Sequence, residues 1–159
     1  MNKIDRVYSY TASKLGYLRD ISGTGPGRAM LAELRHGVGK SPGESPELWG
    51  LIFDRLPVEL TGTSKASDAE WAIYTALTLY ALHQQGEERY MNAEKISLGS
   101  AAARLAVNED ELKRIQKRLN VIVTAPTPYD LAYRLRGLIR LLGGAGIPLD
   151  YARLAKELY

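Results

Sequence analysis

Cysteine is absent from this chain. That excludes disulfides, zinc–thiolate sites and a thiol nucleophile. Histidine is scarce: His36 and His83 stand alone, and neither belongs to an H-E-x-x-H or histidine–carboxylate ligand spacing. No apolar run approaches the roughly 18 residues of a membrane-spanning helix. The opening Met1-Asn2-Lys3-Ile4-Asp5-Arg6 has no apolar signal core. Alternating strand patterns, internal repeats and low-complexity tracts are missing as well. The stretch Gly23-Thr24-Gly25-Pro26-Gly27-Arg28 is rich in glycine but lacks the lysine and hydroxyl of a phosphate-binding loop, and it follows a helix rather than a strand. Clustered acids have local explanations. Glu87 and Glu88 lie in a connector, and Glu109-Asp110-Glu111 open a helix, where the dipole favours them. These absences point away from catalysis. They lead to the expectation of a cytoplasmic protein with no cofactor, no metal and no membrane association.

What is present is helix. A chain of 159 residues, 45% hydrophobic and 25% charged, can bury a real core. Periodicity, caps and breakers predict helices over 3–20, 26–36, 46–56, 68–85, 98–106, 109–124, 128–142 and 149–158. Ser67 and Glu70 form a capping box, Asn108 and Thr127 cap later helices, and Gly143-Gly144 is expected to stop the helix from Pro128. The helix after Ser67 is apolar all round, with Trp71, Ile73, Tyr74, Leu77, Leu79, Tyr80 and Leu82, so it belongs at the centre of the fold. His83 at its end reads as a satisfied structural histidine. The fold class is all-α, a compact helical bundle of two small lobes: residues 1–86, and residues 87–159 with a basic surface.

That basic surface carries the functional information. Lys113, Arg114, Lys117, Arg118, Arg134, Arg136 and Arg140 face a single acid, Asp130, a local net charge of +6 in a chain whose total is +3. At about 100° per residue, Leu112, Ile115, Leu119, Ile122 and Val123 form the core face of the helix from Glu109, and its four cations form an exposed stripe. On the helix from Pro128 the core face is Leu131, Leu135, Leu138, Ile139 and Leu142, and Tyr129, Tyr133, Arg136 and Arg140 lie opposite. Arginine binds phosphate bidentately and tyrosine stacks on unpaired bases, so the pattern suits a nucleic acid. Arg134 points to the edge of the core face, where a neighbouring carbonyl or acid is as natural a partner as a ligand. A second basic group, Arg28, Arg35, His36 and Lys40, surrounds a helix end and also complements its dipole. The candidate contacts are therefore Arg114, Lys117, Arg118, Arg136, Arg140 and Lys113, with Arg35 and Arg28 behind them.

Two other readings stay open. Ser100 to Leu112 has the outline of a helix-turn-helix, although the first turn of its second helix would present Glu109, Asp110 and Glu111 to the bases. Basic helix faces also serve solubility, or dock acidic proteins on a scaffold.

Taken in order, several segments resemble a known family. They are Leu31-Ala32-Glu33-Leu34-Arg35-His36-Gly37, Ala72 to His83, Leu98-Gly99-Ser100-Ala101, Lys117-Arg118-Leu119 before Val123-Thr124-Ala125, Leu131-Ala132-Tyr133-Arg134-Leu135-Arg136, and Ile147-Pro148-Leu149-Asp150-Tyr151. The chain resembles the small subunit of the type I-E CRISPR surveillance complex Cascade, the CasB family. Where that family commonly has two arginines before an aromatic, this chain has Lys117-Arg118-Leu119. Its common arginine pair near the second helix is here Arg35-His36. The resemblance implies an all-helical, non-catalytic protein. It also implies other Cascade subunits and CRISPR RNA as partners, two copies per complex, and single-stranded or R-loop DNA as ligand, with the displaced strand held without sequence preference.

Overall fold

Eight α-helices and one short 3-10 turn, Val58–Leu60, account for the regular structure of the computed structural model, which describes residues 1–159. They are α1 Lys3–Ile21, α2 Gly25–His36, α3 Pro46–Phe53, α4 Asp68–Gln84, α5 Leu98–Ala103, α6 Glu109–Val123, α7 Pro128–Gly144 and α8 Tyr151–Leu158. The chain is all-α, and each start has a local cause. The side chains of Asn2, Thr24, Ser45, Ser67, Ser97, Asn108, Thr127 and Asp150 each accept a backbone N–H of the first turn. At Ser67 the capping box is complete, with Glu70 returning a bond to the Ser67 N–H at 2.7 Å.

α4 occupies the centre, as its apolar circumference requires. Ile73, Ala76, Leu79, Tyr80 and Ala81 are fully buried. α2, α7 and α8 pack on it, and α1 packs against α8, so the first and last helices close on each other. One apolar cluster of 30 buried residues runs from Val7 and Leu15 through Leu79 to Leu138 and Leu154, and so includes side chains from both sides of Gly86. The connector after Gly86 is tied to the segment before α8. The Ala93 N–H bonds the Leu149 carbonyl, the Leu149 N–H bonds the Met91 carbonyl, and the Tyr151 N–H bonds Asn92 Oδ1. Asp150 is 3% exposed and accepts from the Lys95 N–H and the Arg153 N–H, both at 2.9 Å.

Several boundaries differ from the sequence expectation. α7 runs through Gly143 and Gly144, and the left-handed turn falls on Gly146 (φ 68). Glycine within a helix costs only about 1 kcal/mol, so two in the last turn do not force it to stop. α3 stops at Phe53 because α1 takes its last carbonyls: Tyr10 Oη donates to Ile52 O at 2.6 Å and Lys14 Nζ donates to Leu51 O at 3.2 Å. The chain then turns through Arg55 at φ 61. α5 ends at Ala103, and residues 104–106 close with i→i−3 bonds. α8 begins at Tyr151 because Leu149 is committed to its bridge with Asn92.

His83 is buried, as expected, but only half satisfied. Its Nδ1 lies 2.8 Å from Tyr151 Oη, while Nε2 has no hydrogen-bond partner. Burial pulls its pKa down from 6.5 to about 4, with the Ile147 backbone opposing in part. The imidazole is therefore neutral in the fold, while the unfolded chain takes up a proton below pH 6.5. Stability from this group is complete above that pH and lost as pH falls through about 4, in all about 3 kcal/mol. Denaturant titrations at neutral and acidic pH should show this loss in the natural chain and a smaller one in His83→Gln. Equal pH dependence in both would remove His83 as the cause.

Candidate nucleic-acid interface

α6 and α7 are joined by residues 124–127 alone, so they lie side by side. α6 packs chiefly on α5 and α7 and stands at the edge of the bundle. Of its expected core face only Ile122 is buried. Leu112, Ile115 and Leu119 are half-buried, and Val123, placed on that face by phasing, is 71% exposed because the fold ends beside it. α7 is better embedded, with Leu135, Leu138, Ile139 and Leu142 buried toward α4.

Between the two helices lies a cleft of about 500 Å³ lined by Arg118, Val121, Ile122, Tyr133, Arg134, Arg136, Gly137 and Arg140. It holds four guanidinium groups and no carboxylate. None of the four ion pairs in the structure involves these arginines. Asp130, the one acid in this stretch, accepts from the Thr127 hydroxyl at 2.7 Å in the cap of α7. The acids that open α6 are local too: Glu111 accepts from the Val107 N–H at 2.9 Å. Nothing therefore neutralises the groove from within the chain.

Two arginines cross between the helices. Arg118 of α6 lies over Gly137 of α7, and Arg134 of α7 donates back to the Val121 carbonyl of α6. One contact joins 118 to 137 and the other 121 to 134, so the helices run antiparallel. Arg134 thus serves a carbonyl, one of the alternatives its phase allowed. The tyrosines also separate. Tyr129 packs edge-on against Trp71 at 5.1 Å, whereas Tyr133 is 75% exposed at the groove with its ring face free. Guanidinium and phenol groups can hold phosphates and stack on bases.

The structure thus gathers Arg118, Arg136 and Arg140 from the expected contacts and adds Arg134. Lys113, Arg114 and Lys117 are exposed on α6 but outside the groove lining. Arg28 and Arg35 sit on α2, which packs mainly against α1, α3 and α4; Arg28 Nη1 donates to the Gly23 carbonyl at 3.0 Å and closes the turn before its own helix. Gly137 was missed, although a lone glycine inside a helical pattern is a signal. A second cleft, of about 610 Å³, lies where Tyr10, Lys14 and Tyr17 face Leu51 and Arg55. It includes Asp54, and its Tyr10 and Lys14 are occupied in ending α3.

No curated protein matches the chain significantly. The crystal structure of CasB from Thermobifida fusca superposes on it with a TM-score of 0.82 at 34% identity, over 97% of this chain and 86% of that one. Neither result lends support to a helix-turn-helix regulator. The family model for CRISPR-associated protein Cse2 matches residues 30–159, a span that holds α3 to α8 and the whole groove, and the chain belongs to that family.

Proposed function

We propose that this chain is the small, non-catalytic subunit of a type I-E Cascade complex, present there in two copies beside CRISPR RNA and the other subunits in the cytoplasm. Its task is to hold nucleic acid without reading sequence, and to steady the R-loop by retaining the displaced DNA strand. The observation that carries this reading is the acid-free groove of four arginines with Tyr133 open at its side. Phosphate contacts give affinity without base selection, and a free ring face favours unpaired bases over a duplex.

The test combines two measurements. A tagged chain expressed with its neighbouring subunits should co-purify with CRISPR RNA. The isolated chain should bind unrelated single-stranded DNA sequences with similar affinity, log K falling with log salt by about 0.7 per phosphate contact. Strong preference for one duplex sequence would instead favour a regulator. No affinity for DNA or RNA at low salt, alone or in the complex, would leave a protein-docking scaffold.

A further inference from the structure

Gly137 lies in the interior of α7, where glycine is unfavourable, and no turn or positive φ requires it. The reason for a glycine lies across the groove. A Cβ built on Gly137 would stand 2.6 Å from Nη2 of Arg118, and within 4 Å it would meet nothing else but the Cζ of the same guanidinium, at 3.9 Å. The missing side chain is therefore the space that Arg118 occupies. A Cβ there would displace the guanidinium from its place against the α7 backbone, in the groove it shares with Arg136 and Arg140.

We propose that Gly137 is a positioning residue for phosphate binding: it seats Arg118 on α7, so that a cation from α6 joins those of α7 in a single site. Arg134 complements this from the other side, because its bond to the Val121 carbonyl holds the end of α6 against α7. The assignment rests on the nucleic-acid reading of the groove. The ligand class is the phosphodiester of a single strand, bound between cations supplied by two helices.

Gly137→Ala separates positioning from folding, because the two effects have opposite signs. The new methyl meets only the end of a flexible side chain. Alanine also favours helix, so Tm should rise by about 2–4 °C. Binding of a labelled, mixed-sequence single-stranded DNA should weaken about threefold, less than the roughly tenfold loss of one charge-assisted contact expected in Arg118→Ala. Its salt slope should fall by less than the about 0.7 expected of Arg118→Ala, because the displaced guanidinium keeps its charge. The double variant should bind no worse than Arg118→Ala alone. Unchanged or tighter binding by Gly137→Ala overturns the proposal, as do losses that multiply in the double variant. If the natural chain holds no oligonucleotide at low salt, the nucleic-acid reading fails by itself. The seating of Arg118 is then decided by NMR of its guanidinium: a restrained Nε–H signal in the natural chain, averaged in Gly137→Ala, supports it, and identical signals refute it.

Discussion

Reversing Arg118 and Arg140 together to glutamate should weaken single-stranded DNA binding by about a hundredfold or more, with the salt slope falling by about 1.4. Both side chains are exposed and neither pairs with an acid, so the fold should lose no more than about 0.5 kcal/mol. The matched control is Lys113→Glu with Lys117→Glu, the same charge change on the part of α6 that does not line the groove. It acts only through the general field, and roughly a tenfold loss is expected. Anisotropy titrations across salt concentrations, with circular dichroism to confirm folding, separate the two. Equal losses in both variants would reduce the groove to a diffuse basic surface. A folded Arg118/Arg140 variant that binds like the natural chain would remove it altogether.

The largest effect on stability should come from Asp150→Ala. This carboxylate is buried and accepts two backbone N–H groups, one opening α8 and one in the connector at Lys95. Loss of a cap costs about 0.5–2 kcal/mol, and a donor left unpaired about 1–3 more. A total near 3 kcal/mol lowers Tm by about 10 °C in a protein of this size. Asp150→Asn keeps one acceptor and should fall between. Thermal melts decide it, and a Tm within about 2 °C of the natural chain would show that water replaces the carboxylate without penalty.

Much of the fold was legible because its determinants are local. Ser67 with Glu70, Asn108 and Thr127 satisfy first-turn N–H groups three residues away, and that spacing is visible in the sequence. The all-round apolar pattern of α4 has one stable solution, burial at the centre. The phase of α7 put Leu135, Leu138, Ile139 and Leu142 on one side, and they are buried. Where such reasoning missed, the surroundings of the helix rather than its own pattern decided. Val123 follows the periodicity of its helix, but α6 reaches the edge of the bundle there and nothing covers it. Gly143-Gly144 looks like a stop, yet α7 runs through both and the left-handed turn falls on Gly146.

The sequence by itself determined the helices, the centre of the bundle and the fact that positive charge is concentrated between Lys113 and Arg140. These follow from capping, periodicity and composition, which act within a turn or two of chain. Only the tertiary structure decided which cations share a site. The antiparallel approach of α6 and α7 brings Arg118, Arg134, Arg136 and Arg140 together, leaves Lys113 and Lys117 outside, and assigns Tyr129 to Trp71 while Tyr133 stays free. Helical phase states which way a side chain points but not what stands opposite, and a groove exists only where two helices meet.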